Sequence, residues 1–84
     1  MIRILYFASL RERLDSGGES LELPAGITQL GQLASLLAAR GPVWADAFAG
    51  RLPLMMAVNQ SAARPDSPLQ DGDEVAFFPP VTGG

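Results

Sequence analysis

The chain has 84 residues, 48% of them apolar, which is enough for one small domain with its own hydrophobic core. Its formal net charge of −3 argues against nucleic acid or an anionic membrane as a partner, because both select basic surfaces. The chain contains no His, Cys or Lys, which excludes an imidazole base, a thiolate nucleophile, a Schiff-base lysine and a soft metal site.

Residues 2–7 alternate their side chains in the way that predicts a β-strand, and both faces are largely apolar, which favours a central strand. The faces carry Ile2, Ile4 and Tyr6 on one side and Arg3, Leu5 and Phe7 on the other. At the strand end, Phe7 suits the core and an interface equally well. Residues 8–14 are predicted to form a loop or a short helix, with Arg11 on its solvated face. The start lacks the pattern of a signal peptide, so we expect a cytoplasmic protein.

A turn at residues 16–18 and a second strand at residues 19–23 predict a hairpin with the first strand. A helix is then predicted from an N-cap at Thr28 to about Arg40. Its apolar stripe consists of Ile27, Leu30, Leu33, Ala34 and Leu37. Gly31 inside this helix is expected to cost about 1 kcal/mol of stability relative to alanine.

Residues 43–49 are weakly helical and contain Trp44, which is expected to pack over the edge of the core. Residues 54–59 predict a third strand with Met55 and Met56 on opposite faces. One of these methionines would then lie on an exposed sheet surface as an adaptable contact, although a gap-filling role in the core is equally compatible. A turn follows at residues 59–61, and a polar connection at residues 64–70 leads to the last strand.

The last stretch begins with a turn at residues 71–73 and a strand at residues 74–78. Phe77 is expected to face the helix and Phe78 the other side, where it either anchors a partner or packs at the edge. Pro79 and Pro80 offer no backbone N–H, so the strand cannot continue in its sheet. Fully extended, residues 79–84 reach about 20 Å, which is long enough to enter the cleft of another protein.

The predicted order of elements is strand, strand, helix, strand, strand, which favours an α+β β-grasp fold with a mixed sheet and one main helix on one face. Its first and last strands would be parallel neighbours at the centre. We expect residues 1–78 to form this domain and residues 79–84 to form an extended, flexible tail.

Three segments resemble the small, sulfur-carrying subunits of molybdopterin synthases. They are residues 1–12, the Ala-Val-Asn-Gln of residues 57–60, and residues 71–84, which end in Phe-Phe-Pro-Pro-Val-Thr-Gly-Gly. The resemblance spans the whole chain and implies a ubiquitin-like fold. In the family, the residues after the turn at 59–61 are bulkier than Ala62 and Ala63, which leaves one hydrophobic partner contact in doubt.

The resemblance also implies a chemical cycle at Gly84, which lies next to Gly83. A ubiquitin-activating-like adenylyltransferase would adenylate the terminal carboxylate with ATP, and the adenylate would become a thiocarboxylate. The large synthase subunit, in a heterotetramer, would use that sulfur to build the dithiolene of molybdopterin. This chain would bind no cofactor or metal itself. The implied partner-binding residues are Phe7, Arg11, Phe78, Pro79, Pro80, Val81 and Thr82.

Other functions remain open at this point. The chain could carry sulfur for thiazole or thiolated-tRNA synthesis, or could be a modifier joined to lysines. A different class is a non-catalytic β-grasp module that binds proteins through its sheet face. The terminal glycines distinguish these possibilities, because a carrier requires them and a binding module does not.

Overall fold

The computed structural model of the chain describes residues 1–49 and 54–80. Five strands and three helices lie in these ranges. In chain order they are β1 (Ile2–Tyr6), α1 (Ala8–Leu14), β2 (Gly18–Leu21), α2 (Leu30–Ala38), α3 (Pro42–Phe48), β3 (Met55–Val58), β4 (Ser61–Ala63) and β5 (Glu74–Phe78). None of the helices in these ranges has the length and apolar character needed to cross a membrane.

The strands form one mixed sheet in the order β2-β1-β5-β3-β4. β1 and β5 are parallel neighbours at its centre, and the other pairs are antiparallel. This arrangement confirms the predicted α+β β-grasp fold, and the observed ends of the four predicted strands lie within two residues of the expected ones.

β4 was not predicted from the sequence. This strand has only three residues, Ser-Ala-Ala, which have little intrinsic strand preference. Asn59 and Gln60 adopt positive φ angles of 50° and 69°, the conformation of a two-residue hairpin turn. That turn folds β4 back onto β3, so pairing rather than composition creates the strand.

The core lies between the sheet and the helices, and the alternation of the strands decides which side chains enter it. Ile2, Ile4 and Tyr6 of β1 are fully buried, as are Val75 and Phe77 of β5. From α2 the fully buried residues are Leu30, Leu33 and Leu37, which confirms the predicted stripe. Residues 8–14, predicted as a loop or a short helix, form α1, and Leu10 and Leu14 bury against this core.

The N-cap of α2 is Gln29 and not Thr28 as predicted. The Gln32 side chain reaches back one turn, and its oxygen accepts the backbone N–H of Gln29 at 3.0 Å and that of Thr28 at 2.7 Å. Gln32 is the third residue of the helix after its cap, so its side chain makes the reach-back bond of a capping box to the N-cap backbone. The helix ends at Ala38, two residues before the predicted end at Arg40.

Gly31 has a packing role that the helical pattern of the sequence does not reveal. Its N–H donates to the carbonyl oxygen of Pro65 at 2.8 Å. A Cβ at this position would lie 3.0 Å from both that oxygen and the Pro65 Cβ. The absence of a side chain therefore lets the connection before β5 pass directly over the first turn of α2.

Candidate functional site: the end of the sheet where the tail begins

The tail begins at the end of the central strand β5, where both neighbouring strands hold the backbone. Tyr6 is in register with Phe77 on one side, and Met55 is in register with Phe78 on the other. The N–H of Phe7 also donates to the carbonyl of Phe77 at 3.2 Å. Pro79 and Pro80 follow outside any strand and are half-buried. The start of the tail is therefore fixed relative to the sheet.

The open face of the sheet is the face that points away from the helices and the core. Three large apolar side chains lie in one row on this face, at the end where the tail begins. Phe7 is 45% exposed, Met55 is 43% exposed and Phe78 is half-buried. Phe7 directly follows Tyr6, so the parallel pairing of β1 with β5 places Phe7 beside Phe78. We call Phe7, Phe78 and Met55 the tail-root ridge.

The adjacent row of residues on the open face has mostly small side chains. It runs through registered pairs across four strands and consists of Leu5, Ala76, Ala57 and Ala62. The following row is polar and includes the registered pair Arg3 and Glu74. A flat protein surface can therefore approach the sheet closely beside the ridge. Strand alternation had already placed Leu5 on the same face as Phe7, but the row itself depends on register.

Ala62 is exposed at the outer edge of this alanine-rich row, whereas Ala63 turns toward the core. Of the two alanines at which the resemblance leaves a partner contact in doubt, only Ala62 therefore lies on the open face.

Arg11 lies on the exposed face of α1, close to the turn before β2. A Cβ at Gly17 would lie 3.2 Å from the Arg11 Cζ, so the guanidinium rests against that turn. Among the described residues no carboxylate lies within 4.0 Å of it. Its charge is therefore available for an ion pair with another protein. The predicted role of Arg11 in binding a partner stays a prediction.

Four aromatic rings support the ridge from the core side. Phe77 stacks on Tyr6 at 6.4 Å between ring centroids and meets Phe48 edge-on at 5.2 Å. Trp44 closes the ring of contacts, edge-on to Tyr6 at 5.6 Å and stacked on Phe48 at 6.2 Å. The half-buried Trp44 thus packs over the core edge, as predicted. These ring contacts pack the end of β5 against α3.

The same end of the core carries a polar network. Glu19 accepts the Tyr6 hydroxyl at 2.9 Å and two hydrogen bonds of 2.7 Å from Arg40, whose guanidinium lies 4.7 Å from the Trp44 ring centroid. The hydrogen bond from Arg40 holds the pKa of Glu19 below its ordinary value. Burial, followed by the bond to Glu19, raises the pKa of Tyr6, so the phenol stays protonated.

Of the predicted site residues, the structure brings together Phe7, Phe78, Pro79 and Pro80 at one end of the sheet. Arg11 lies on the helix that starts directly after Phe7. The predictions for Val81, Thr82, Gly83 and Gly84 concern residues outside the described ranges. Within those ranges, no group of three or more carboxylates is placed to hold a metal ion.

The mixed sheet with parallel central strands, one layer of helices and an exit from the central strand define a ubiquitin-like β-grasp protein. A crystal structure of SAMP1 from Haloferax volcanii has the same fold, with a TM-score of 0.79 and 26% sequence identity. That comparison covers 99% of this chain and 98% of the other.

The family can be stated more closely. The model of the ThiS family matches residues 4–84, and the chain belongs to this family. It is 45% identical to the molybdopterin synthase sulfur carrier subunit of Escherichia coli and 37% identical to the protein of that name from Haemophilus influenzae. Both comparisons cover the whole length of both chains.

Proposed function

We propose that this chain is the sulfur-carrier subunit of a molybdopterin synthase and that its reactive group is the carboxyl carbon of Gly84. The observation that carries the proposal is that the tail-root ridge lies where β5 leads through Pro79 and Pro80 toward the terminal glycines. A partner that docks on the ridge would therefore meet the tail at the same place. The full-length similarity to two sulfur carrier subunits supports this reading.

The proposed chemistry begins with activation by a ubiquitin-activating-like adenylyltransferase. A carboxylate is a poor electrophile, because its negative charge repels nucleophiles and its oxygen is a poor leaving group. Attack of the Gly84 carboxylate on the α-phosphorus of ATP releases pyrophosphate and forms an acyl-adenylate. Sulfur at the oxidation level of hydrosulfide then displaces AMP from the acyl carbon, and the product is a thiocarboxylate. The thiocarboxylate sulfur finally bonds to the pterin precursor on the large synthase subunit, and hydrolysis of the acyl–sulfur bond leaves the sulfur on the precursor and returns the Gly84 carboxylate.

In this cycle the chain positions the acyl carbon of Gly84, and the partner proteins supply the acid and base groups. It has no imidazole, thiol or amine side chain that would act as the base or nucleophile. Gly83 and Gly84 carry no Cβ, so the acyl carbon can enter a narrow cleft. Because β5 is paired with β1 and β3 up to Phe78, a partner that docks on the ridge would bring the acyl carbon to its reacting group at a lower entropic cost.

An intact-mass experiment tests the proposal. The purified chain is incubated with the adenylyltransferase, ATP and a sulfur source, and its mass is recorded before and after. We expect a gain that matches replacement of one oxygen by sulfur, located at Gly84 by fragmentation. A matched variant that lacks Gly83 and Gly84 should keep its thermal unfolding midpoint but gain no sulfur. Persistence of molybdoenzyme activity in cells that carry only this variant would contradict the proposal.

A further inference from the structure

The three methionines of the chain occupy three different environments. Met1 is 60% exposed, and its carbonyl accepts the N–H of Gly72, beyond the end of the sheet opposite the ridge. Met56 points into the core side of β3 and is half-buried against the core cluster. Met55 is 43% exposed and belongs to the tail-root ridge. Only Met55 combines exposure with a place beside the start of the tail.

Methionine is the only sulfur-containing residue in this sequence, because the chain has no cysteine. The unsulfurated carrier therefore offers a hydroperoxide no thiol to react with. In the reaction, the thioether sulfur attacks one peroxide oxygen and the O–O bond breaks. For hydrogen peroxide, the oxygen bonds to sulfur and the other oxygen leaves as water with both protons. The sulfur loses two electrons and the peroxide gains them.

We propose that Met55 is an oxidation site, and that its conversion to the sulfoxide by a hydroperoxide weakens docking of the carrier on the large synthase subunit. The inference rests on the proposed function, since it concerns the surface that presents the tail. It adds a means of regulation to that surface, because oxidation would reduce sulfur delivery without any change at Gly84.

The physical reason lies in the neighbours of Met55. Phe78 is its registered partner, Phe7 completes the ridge, and Ala57 is the next residue of β3 on the open face. None of these three side chains carries a hydrogen-bond donor. In the free carrier, water can solvate the new sulfinyl oxygen. When a partner covers the ridge, the oxygen loses that water and gains no bond from these neighbours, so binding is penalised.

The test compares affinities before and after oxidation. The unsulfurated carrier is treated with hydrogen peroxide, oxidised positions are assigned by peptide mass mapping, and binding to the large synthase subunit is measured by calorimetry. We expect oxidation to weaken binding by about tenfold or more. Met56→Leu should show the same loss. For Met55→Leu, the affinities before and after peroxide treatment should be nearly equal, whatever the starting affinity. We expect the exposed Met1 to be oxidised in all three proteins, so its oxidation does not account for a difference between them.

The outcomes separate this inference from the proposed function. If the untreated carrier binds the large subunit but oxidised Met55 leaves the affinity unchanged, the inference is wrong and the proposed function stands. An equal loss in Met55→Leu would also overturn it, because another residue would then be responsible. If the untreated carrier does not bind, the proposed function fails and this inference fails with it. Recovery of affinity after treatment with a thiol-dependent methionine sulfoxide reductase would support the inference.

Discussion

The carboxylate of Glu19 accepts two hydrogen bonds of 2.7 Å from the guanidinium of Arg40, which is 21 positions away in the chain. The pair joins β2 to the residues that follow α2. It also holds the hydroxyl of Tyr6, whose ring stacks on Phe77 near the start of the tail. The edge of the sheet, the helix layer and the base of the tail are therefore linked through one carboxylate.

Replacement of Glu19 by Gln should lower the free energy of unfolding by about 1–2 kcal/mol near neutral pH, because a charged, half-exposed pair is lost. The pKa of Glu19 is lowered in the folded state, so its contribution is complete above the ordinary glutamate pKa of about 4.3. The contribution is lost as pH falls through the lower folded value. Denaturant unfolding of both proteins across this pH range measures the difference.

The control for this prediction is Glu22→Gln, which changes an exposed glutamate that has no ion pair among the described residues. We expect its unfolding free energy to stay within about 0.5 kcal/mol of the native value. A gap between native protein and Glu19→Gln that stays constant into strong acid would show that the pair does not act through its charge.

Replacement of Phe78 by Ser should weaken binding to the large synthase subunit by about 2 kcal/mol, or roughly 30-fold, because Phe78 occupies the centre of the tail-root ridge. Titration calorimetry with the unsulfurated carrier measures the loss. Leu36→Ser is the matched control, since Leu36 is 42% exposed on α2 in the helix layer, away from the open face. Equal losses in the two variants would rule out a specific role for the ridge.

Replacement of Gly31 by Ala should destabilise the domain by about 1–3 kcal/mol, although alanine is the better helix former. The added methyl group would lie 3.0 Å from the backbone oxygen of Pro65, so either α2 or the connection must move. Denaturant unfolding measures the change. Ser35→Ala, at an exposed position of the same helix, should instead be neutral or slightly stabilising. A stabilised Gly31→Ala protein would contradict the described contact.

Replacement of Arg11 by Ala should reduce the association rate with a partner a few-fold and make that rate less dependent on salt, because its charge has no carboxylate within 4.0 Å in the described chain. Stopped-flow kinetics at two salt concentrations measures both effects. Arg64→Ala serves as the control, since Arg64 is highly exposed and lies 3.8 Å from Asp66. Identical association rates for native protein and Arg11→Ala would show that Arg11 takes no part in the interface.

Local patterns predicted most of the fold. The alternation of β1 and β5 placed Phe77 in the core and Phe78 on the open face, and the helical period identified the buried stripe of α2. These predictions succeeded because residues two, three or four positions apart share a face within one strand or helix. The proposed tail chemistry came from the resemblance of the final residues to the sulfur-carrying subunits, and a chain without His, Cys or Lys is compatible with it.

The contacts that organise the site were decided only by the tertiary structure. The sequence contained Met55 and Phe78 but not their registered pairing, and it contained Glu19 and Arg40 but not their ion pair. Helix propensity alone predicts that Gly31 lowers stability, whereas the structure shows that its missing side chain allows the close approach of Pro65. β4 forms only through its pairing with β3. Each of these features joins segments far apart in the chain. Their relative position depends on strand register and on how the layers pack, which no local period of side chains encodes.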